Sequence, residues 1–167
     1  MSISPSFSDR ARRRTVVLIA PALALAAAAA ACVPSPAAGP PAGGVVGDII
    51  NRHNAARADA GLPGFSVDPG MNAHAQFHAD RLASGAGAGA SCYIGHSSEL
   101  GAWYAGSYAA ENVGCIGPCP SDGAGFLNGW LNSPPHRANI LNGRYGFIGV
   151  GVACNGHVMF AVVHFRS

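Results

Sequence analysis

Four cysteines, Cys92, Cys115, Cys119 and Cys154, crowd the second half of a 167-residue chain whose first residues read as an export signal. No other feature restricts the fold as much. The signal consists of Arg10, Arg12, Arg13 and Arg14 followed by a 17-residue apolar run from Thr15 to Ala31, a basic n-region ahead of an h-region. The run contains Pro21 and falls short of the roughly 20 residues of a membrane span. It ends in Ala29-Ala30-Ala31-Cys32, which fits two readings: ordinary cleavage after small residues, or a bacterial lipobox in which Cys32 carries a lipid anchor. Assigning Cys32 to an anchor leaves an even set of four cysteines in the folded part. In an oxidising compartment these are expected to form two disulfides, with three connectivities open. A four-cysteine metal site is the rival. The Cys115-x3-Cys119 spacing suits it, but Cys92 and Cys154 have no near neighbour of their own kind.

The expected organisation is therefore an export signal over residues 1–31, a linker over 32–44, and one domain over 45–166. The linker, "VPSPAAGPPAGG" after Cys32, has nothing to bury. Without the signal, six arginines and no lysines face seven acidic residues, a net charge near −1 that offers no basic footprint for nucleic acid. The expected product is secreted or held in the cell envelope, meets a membrane only through Cys32, and acts as a monomer.

Apolar spacing defines the elements. Val45, Val46, Ile49, Ile50 and His53 follow one face of a first helix, which stops at Gly61 with Pro63 beyond it, the usual order of C-cap and breaker. Asp68-Pro69 caps and starts a second helix striped by Met71, His74, Ala75, His78, Ala79 and Leu82. A third helix from about Ser121 carries Phe126, Leu127, Trp130 and Leu131, and a short fourth follows Ser133-Pro134-Pro135. "ENVGC", "FIGVGVA" and "HVMFAVVHF" read as strands, the last two joined by an Asn155-Gly156 hairpin. Helices first and an antiparallel hairpin last indicate an α+β fold.

Three segments then carry a resemblance: "GHSS" at residues 95–98, "AENVG" at 110–114, and "GWLNSPPHRANIL" at 129–141 with the following "YGFIGVGVA". In this order and spacing they resemble the CAP superfamily of cysteine-rich secretory, antigen 5 and pathogenesis-related 1 proteins, in its bacterial form. The resemblance covers Val45 to Phe165. It implies a three-layer α-β-α sandwich with a small antiparallel sheet between helices. It also implies a shallow cleft where His96 and His136 face each other beside Glu111. Two neutral imidazoles can offer a nitrogen each to a divalent cation, zinc being the usual borderline choice. A carboxylate can ligate as well, or can fix an imidazole tautomer. Bringing the His96 and Glu111 segments together would be served by pairing Cys92 with Cys115 or Cys119.

The chain departs from that pattern in two places. Ser133 stands where complete family members carry a second glutamate, and Ala110 replaces the glycine of the "GEN" form. Glu99 lies where the family places no acid. Ser97 and Ser133 are placed in the cleft, and neither sits in a nucleophile-elbow pattern. The His96–His136 pair has three readings: a hydrogen-bonded pair that orders the cleft, a metal site, or a catalytic pair. His53, His74 and His78 read as core or boundary residues on helix faces, and nothing selects His157 or His164. Trp130 reads as a core anchor. Trp103, Tyr104 and Tyr108 fall in a loop beside the cleft. Two functions follow. One is a disulfide-stabilised binding module with a lipid, glycan or protein ligand and no required cofactor. The other is a metal-dependent hydrolase, a peptidase, with His96 and His136 on the cation and Glu111 as base. Losing the second acid at Ser133 weakens the hydrolase more than the binding module.

Overall fold

The computed structural model describes residues 44–85 and 92–167. The expected export signal and nearly all of the linker, Cys32 included, lie outside the described residues. The elements in chain order are α1 (Gly44–Asp59), β1 (Ser66–Val67), α2 (Pro69–Gly85), α3 (Leu100–Trp103), β2 (Ala109–Ile116), α4 (Gly123–Leu131), α5 (Pro134–Ile140), β3 (Phe147–Cys154) and β4 (Met159–Arg166). Among these helices none is long and apolar enough to cross a membrane.

Local chemistry sets the helix ends. Asp68 Oδ1 accepts from the backbone N–H of Gly70 and Met71 at 2.8 and 3.2 Å, and Pro69 takes the first helical position, where no N–H is needed. Asp122 does the same for α4, accepting from Ala124 and Gly125. That puts the start of α4 at Gly123, slightly later than apolar spacing alone suggested. Gly61, at φ +71°, closes the turn after α1, a conformation a side chain would strain.

The strands form one sheet in the order β1-β3-β4-β2. β4 pairs antiparallel with both β2 and β3. The expected antiparallel sheet is present in β2, β4 and β3, and the two-residue β1 adds to β3 in parallel, so the whole sheet is mixed. The β3–β4 turn also differs from the expected two-residue hairpin. The register pairs Cys154 with Met159, leaving a four-residue loop in which Asn155 Oδ1 accepts from the N–H of His157 and Val158.

Alternation along β4 feeds two cores. Ala161, Val163 and Phe165 face α1, α4 and α5 through Ile49, Ile50, Phe126, Trp130 and Ile140. Phe160 and Val162 face α2 through Ala75, Ala79 and Leu82. Helices thus cover both faces of the sheet, giving the three-layer α-β-α sandwich. On the α2 side the fit depends on missing side chains: a Cβ at Gly149 would overlap Met71, and one at Gly151 would overlap Ala75 and Gln76. The sequence reading did not single out Arg57, which is fully buried at the end of α1. Its guanidinium donates to the carbonyls of Pro63, Ile140, Asn142 and Tyr145 at 2.8–3.0 Å and lies over the Phe65 ring. It ties α1 to the α5–β3 connection.

Two disulfides complete the frame, Cys92–Cys115 and Cys119–Cys154, with Cα separations of 5.8 and 6.0 Å. They rule out the four-cysteine metal site. They also agree with the first of the two partners expected for Cys92.

Candidate functional site

β2 is an outer strand of the sheet, and the site is assembled across it. Register places Glu111 opposite His164 of β4. Their side chains meet on the α2 face, where Glu111 is 4% exposed and His164 fully buried. Glu111 Oε2 accepts from His164 Nε2–H at 2.9 Å. Oε1 accepts from His96 Nδ1–H at 2.8 Å and from the Ser97 backbone N–H at 2.9 Å. Burial pushes the Glu111 carboxyl up, but the donors from His164, Ser97 and His96 outweigh it and hold the group below the usual carboxylate range. Glu111 is therefore an ionised, fully engaged acceptor.

The segment bearing His96 and Ser97 is held at three points. The Cys92–Cys115 bridge ties it to β2. His78 of α2 donates from Nε2 to the Gly95 carbonyl at 2.8 Å. Ser97 uses its hydroxyl on Glu99 at 2.9 Å, and Glu99 pairs with Arg81 at 2.7 Å. The Arg81 guanidinium, helped by Ser97, brings the Glu99 carboxyl down to about 2. Glu99 thus serves the loop and does not enter the cleft chemistry. The contribution of Ser97 to the site is its backbone N–H.

The opposite wall comes from α5. Pro134 and Pro135 occupy its first turn, with Ser133 as the cap. His136 Nδ1 lies 2.8 Å from Ser133 Oγ. Burial lowers the His136 pKa, and repulsion from His96 lowers it further. The other face of β2 fixes this wall: Asn112, fully buried, donates from Nδ2 to the His136 carbonyl at 3.1 Å and accepts from Asn139 Nδ2 at 2.9 Å. Trp130 adds an anchor from α4, its indole N–H donating to the Val113 carbonyl at 3.2 Å. Beside His136 and Ser133 lies a mostly apolar groove of about 260 Å³, walled by Ile94, Val113, Phe126 and Trp130.

The arrangement is selective in what it can do. His96 spends Nδ1–H on a carboxylate, which can only accept, so its Nε2 presents a lone pair. Its side chain is 66% exposed. Ser133 and His136 are in contact, but the two prolines remove the first N–H donors of α5, where an oxyanion would need them. The first turn of α5 therefore offers a Ser133 nucleophile no N–H from Pro134 or Pro135. Among the described residues no three His, Cys, Asp or Glu side chains converge as a metal cage.

Of the residues singled out in the sequence, His96, Glu111, Ser97, His136 and Ser133 are brought together here. His164, which no motif selected, is a direct partner of Glu111. His78, read as a core residue, holds the cleft loop and lies 3.9 Å from Glu111. Tyr104, read as part of a loop beside the cleft, is 7% exposed and bonds His164 Nδ1 at 2.8 Å. It caps α3, a four-residue helix in a stretch whose sequence pattern predicts a loop. A signal for His164 was present: it is a lone imidazole in the otherwise apolar run from Met159 to Phe165, with Phe160 and Val162 on its face.

The chain is similar to known proteins in sequence pattern and in fold. A family model described as the cysteine-rich secretory protein family matches residues 50–165. A solved cysteine-rich secretory protein of Staphylococcus aureus subsp. aureus Mu50 superposes with a TM-score of 0.56 at 19% identity, over 72% of this chain and 37% of that one. An extracellular SCP-domain protein of Bacillus anthracis str. Ames gives a TM-score of 0.54 at 28% identity, over 70% of this chain and 38% of that one. An outer surface protein of Borrelia burgdorferi gives 0.59 at 17% identity, over 71% and 89%. This chain spans under two fifths of the length of the first two. No curated protein matches it in sequence.

Proposed function

The chain belongs to the cysteine-rich secretory protein (CAP) family, and we propose that it acts as an exported or envelope-attached binding module whose His96–His136 cleft takes a divalent cation, zinc by donor type. In this reading residues 1–31 direct export, and Cys32 supplies a lipid anchor if it is modified. The two disulfides keep the cleft assembled outside the cell. His96 offers Nε2, and His136 offers Nε2 when its Nδ1–H is donated to Ser133. Solvent and the bound partner complete the coordination, as an open site allows. A lipid, glycan or protein ligand meets the module at or beside this cleft.

One observation carries the choice of binding over hydrolysis: both oxygens of the buried Glu111 carboxylate are already occupied by internal donors. A general base must reach the proton it removes. Here the carboxylate sits behind His96 and orients it. Position 133, where a second acid would stand, holds a serine bonded to His136.

Zinc titration calorimetry on the purified, disulfide-intact protein tests the proposal, with His96→Ala and His136→Ala alongside. About one saturable site, lost in both variants, is the expected result. Absence of heat, or heat unchanged in both variants, overturns the cation reading.

A further inference from the structure

A single hydrogen-bonded line runs from the protein interior to the cleft. Tyr104 lies 2.8 Å from His164 Nδ1, His164 Nε2 lies 2.9 Å from Glu111 Oε2, and Glu111 Oε1 lies 2.8 Å from His96 Nδ1. Exposure is 7% at Tyr104, 0% at His164 and 4% at Glu111, and reaches 66% only at the His96 side chain. Each donor direction follows from the acceptor ahead of it. Ionised Glu111 can only accept, so His164 must carry its proton on Nε2 and His96 must carry its proton on Nδ1. In the neutral ring His164 Nδ1 is then an acceptor, and the Tyr104 hydroxyl donates to it. Burial raises the Tyr104 phenol well above its ordinary value, so it keeps the proton it donates.

We propose that Tyr104 and His164 are positioning residues for the cleft: acting through Glu111, they hold His96 in the tautomer whose Nε2 lone pair faces solvent. An imidazole left to itself exchanges between two tautomers, and only one of them presents Nε2 as a ligand or acceptor. Among the described residues no other group supplies the donor that Oε2 needs. His78 is 3.9 Å from Oε2 and spends its Nε2–H on the Gly95 carbonyl. Ser97 and His96 both address Oε1. Without His164, Oε2 would be a buried carboxylate oxygen with no donor, and the carboxylate would turn toward the groups that remain. α3 gains a role here: Trp103 packs against the His164 ring at 5.7 Å and Tyr104 meets it edge-on at 5.6 Å, so the relay ring is clamped as well as bonded.

The inference about tautomer stands without a cation. Only its consequence for affinity rests on the cation reading above. Ring-nitrogen NMR of His96 in the metal-free protein, at about pH 8 where histidines are neutral, reads the tautomer directly. The native protein is expected to show protonated Nδ1 and bare Nε2. His164→Val is expected to shift His96 toward a tautomer mixture. His164→Gln, whose amide N–H can donate to Oε2, is expected to restore the native signature. Tyr104→Phe removes one oxygen and keeps the ring, so it asks the same question with little risk to folding, and is expected to move His96 in the same direction by less. In zinc titrations of the same proteins, affinity is expected to fall about tenfold in His164→Val and to return in His164→Gln, the scale of a lost outer partner. A native His96 with its proton on Nε2, or a His96 signature unmoved by both His164→Val and Tyr104→Phe, overturns the proposal. If native protein binds no zinc while the tautomer responds as described, the cation reading fails and the positioning role stands.

Discussion

Glu111 and Asn112 are consecutive residues of β2, and each holds a different wall of the cleft. Strand alternation sends their side chains to opposite faces of the sheet. Glu111 captures His96 on the α2 face, and Asn112 captures the His136 backbone on the α5 face. A two-residue stretch of an outer strand thus sets the separation of two histidines that lie 40 positions apart in the chain. The precision of the cleft is that of the strand, not of the loops.

Glu111→Gln is expected to lower stability by about 2–3 kcal/mol. The amide keeps one acceptor and places an N–H against a donor, so charge-assisted bonds worth roughly 1.5–3 kcal/mol are lost at a buried site. Asn112→Ala should leave the His96 side intact and loosen α5. Urea unfolding measures the first, and hydrogen exchange at residues 134–140 separates it from the second. Equal protection of α5 in both variants would contradict the division of labour.

The acid side of the stability profile is expected to slope because of His53. Burial holds this imidazole at about 4, against 6.5 for the unfolded chain. The unfolded state therefore takes up a proton first as pH falls, and stability is lost between about pH 6.5 and 4, by about 3 kcal/mol in all. His136, also lowered, slopes the same way. Glu111, held below its ordinary value, contributes stability present above 4.5 and lost as pH falls through its folded value. Urea unfolding across this range should show a shallower slope in His53→Leu, at nearly unchanged stability near pH 7. An unaltered slope would exclude His53 as its source.

Arg57→Lys is expected to cost at least about 2 kcal/mol. An ammonium cannot reach four carbonyls spread over two segments in the way a planar guanidinium does, and buried acceptors left bare cost roughly 1–3 kcal/mol each. Guanidinium unfolding at pH 7 measures it. A change within 0.5 kcal/mol, the scale of ordinary surface substitutions, would mean the carbonyls are rehydrated.

Glycine substitutions should divide sharply by position. Gly151→Ala drives a Cβ into the α2 backbone and is expected to prevent native packing, visible as lost near-ultraviolet circular dichroism. Gly129→Ala meets no atom within 4 Å and removes a helix-interior glycine, so it should stabilise by up to about 1 kcal/mol. Similar effects from both would contradict the close approach of α2 to β3.

Much of the fold was legible because its signals are short-range. Asp68-Pro69 caps α2 whatever lies above it. The α1 and α2 stripes and the alternation along β4 record which faces are buried. Motif order alone indicated the family, and with it His96, Glu111 and His136. The partners of Glu111 were not legible. His164 reaches it only through the β2–β4 register, Tyr104 only because α3 folds over that ring, and His78 only because α2 lies against the Gly95 turn. Arg57 looks like a surface arginine until the chain from Ile140 to Tyr145 closes around it. The sequence by itself determined the four longer helices and the three longer strands, which faces are apolar, and that four cysteines would be bridged. Tertiary structure alone decided which buried polar groups meet, because a hydrogen bond is specified by ångström-scale placement of segments distant in sequence, and no local propensity encodes that.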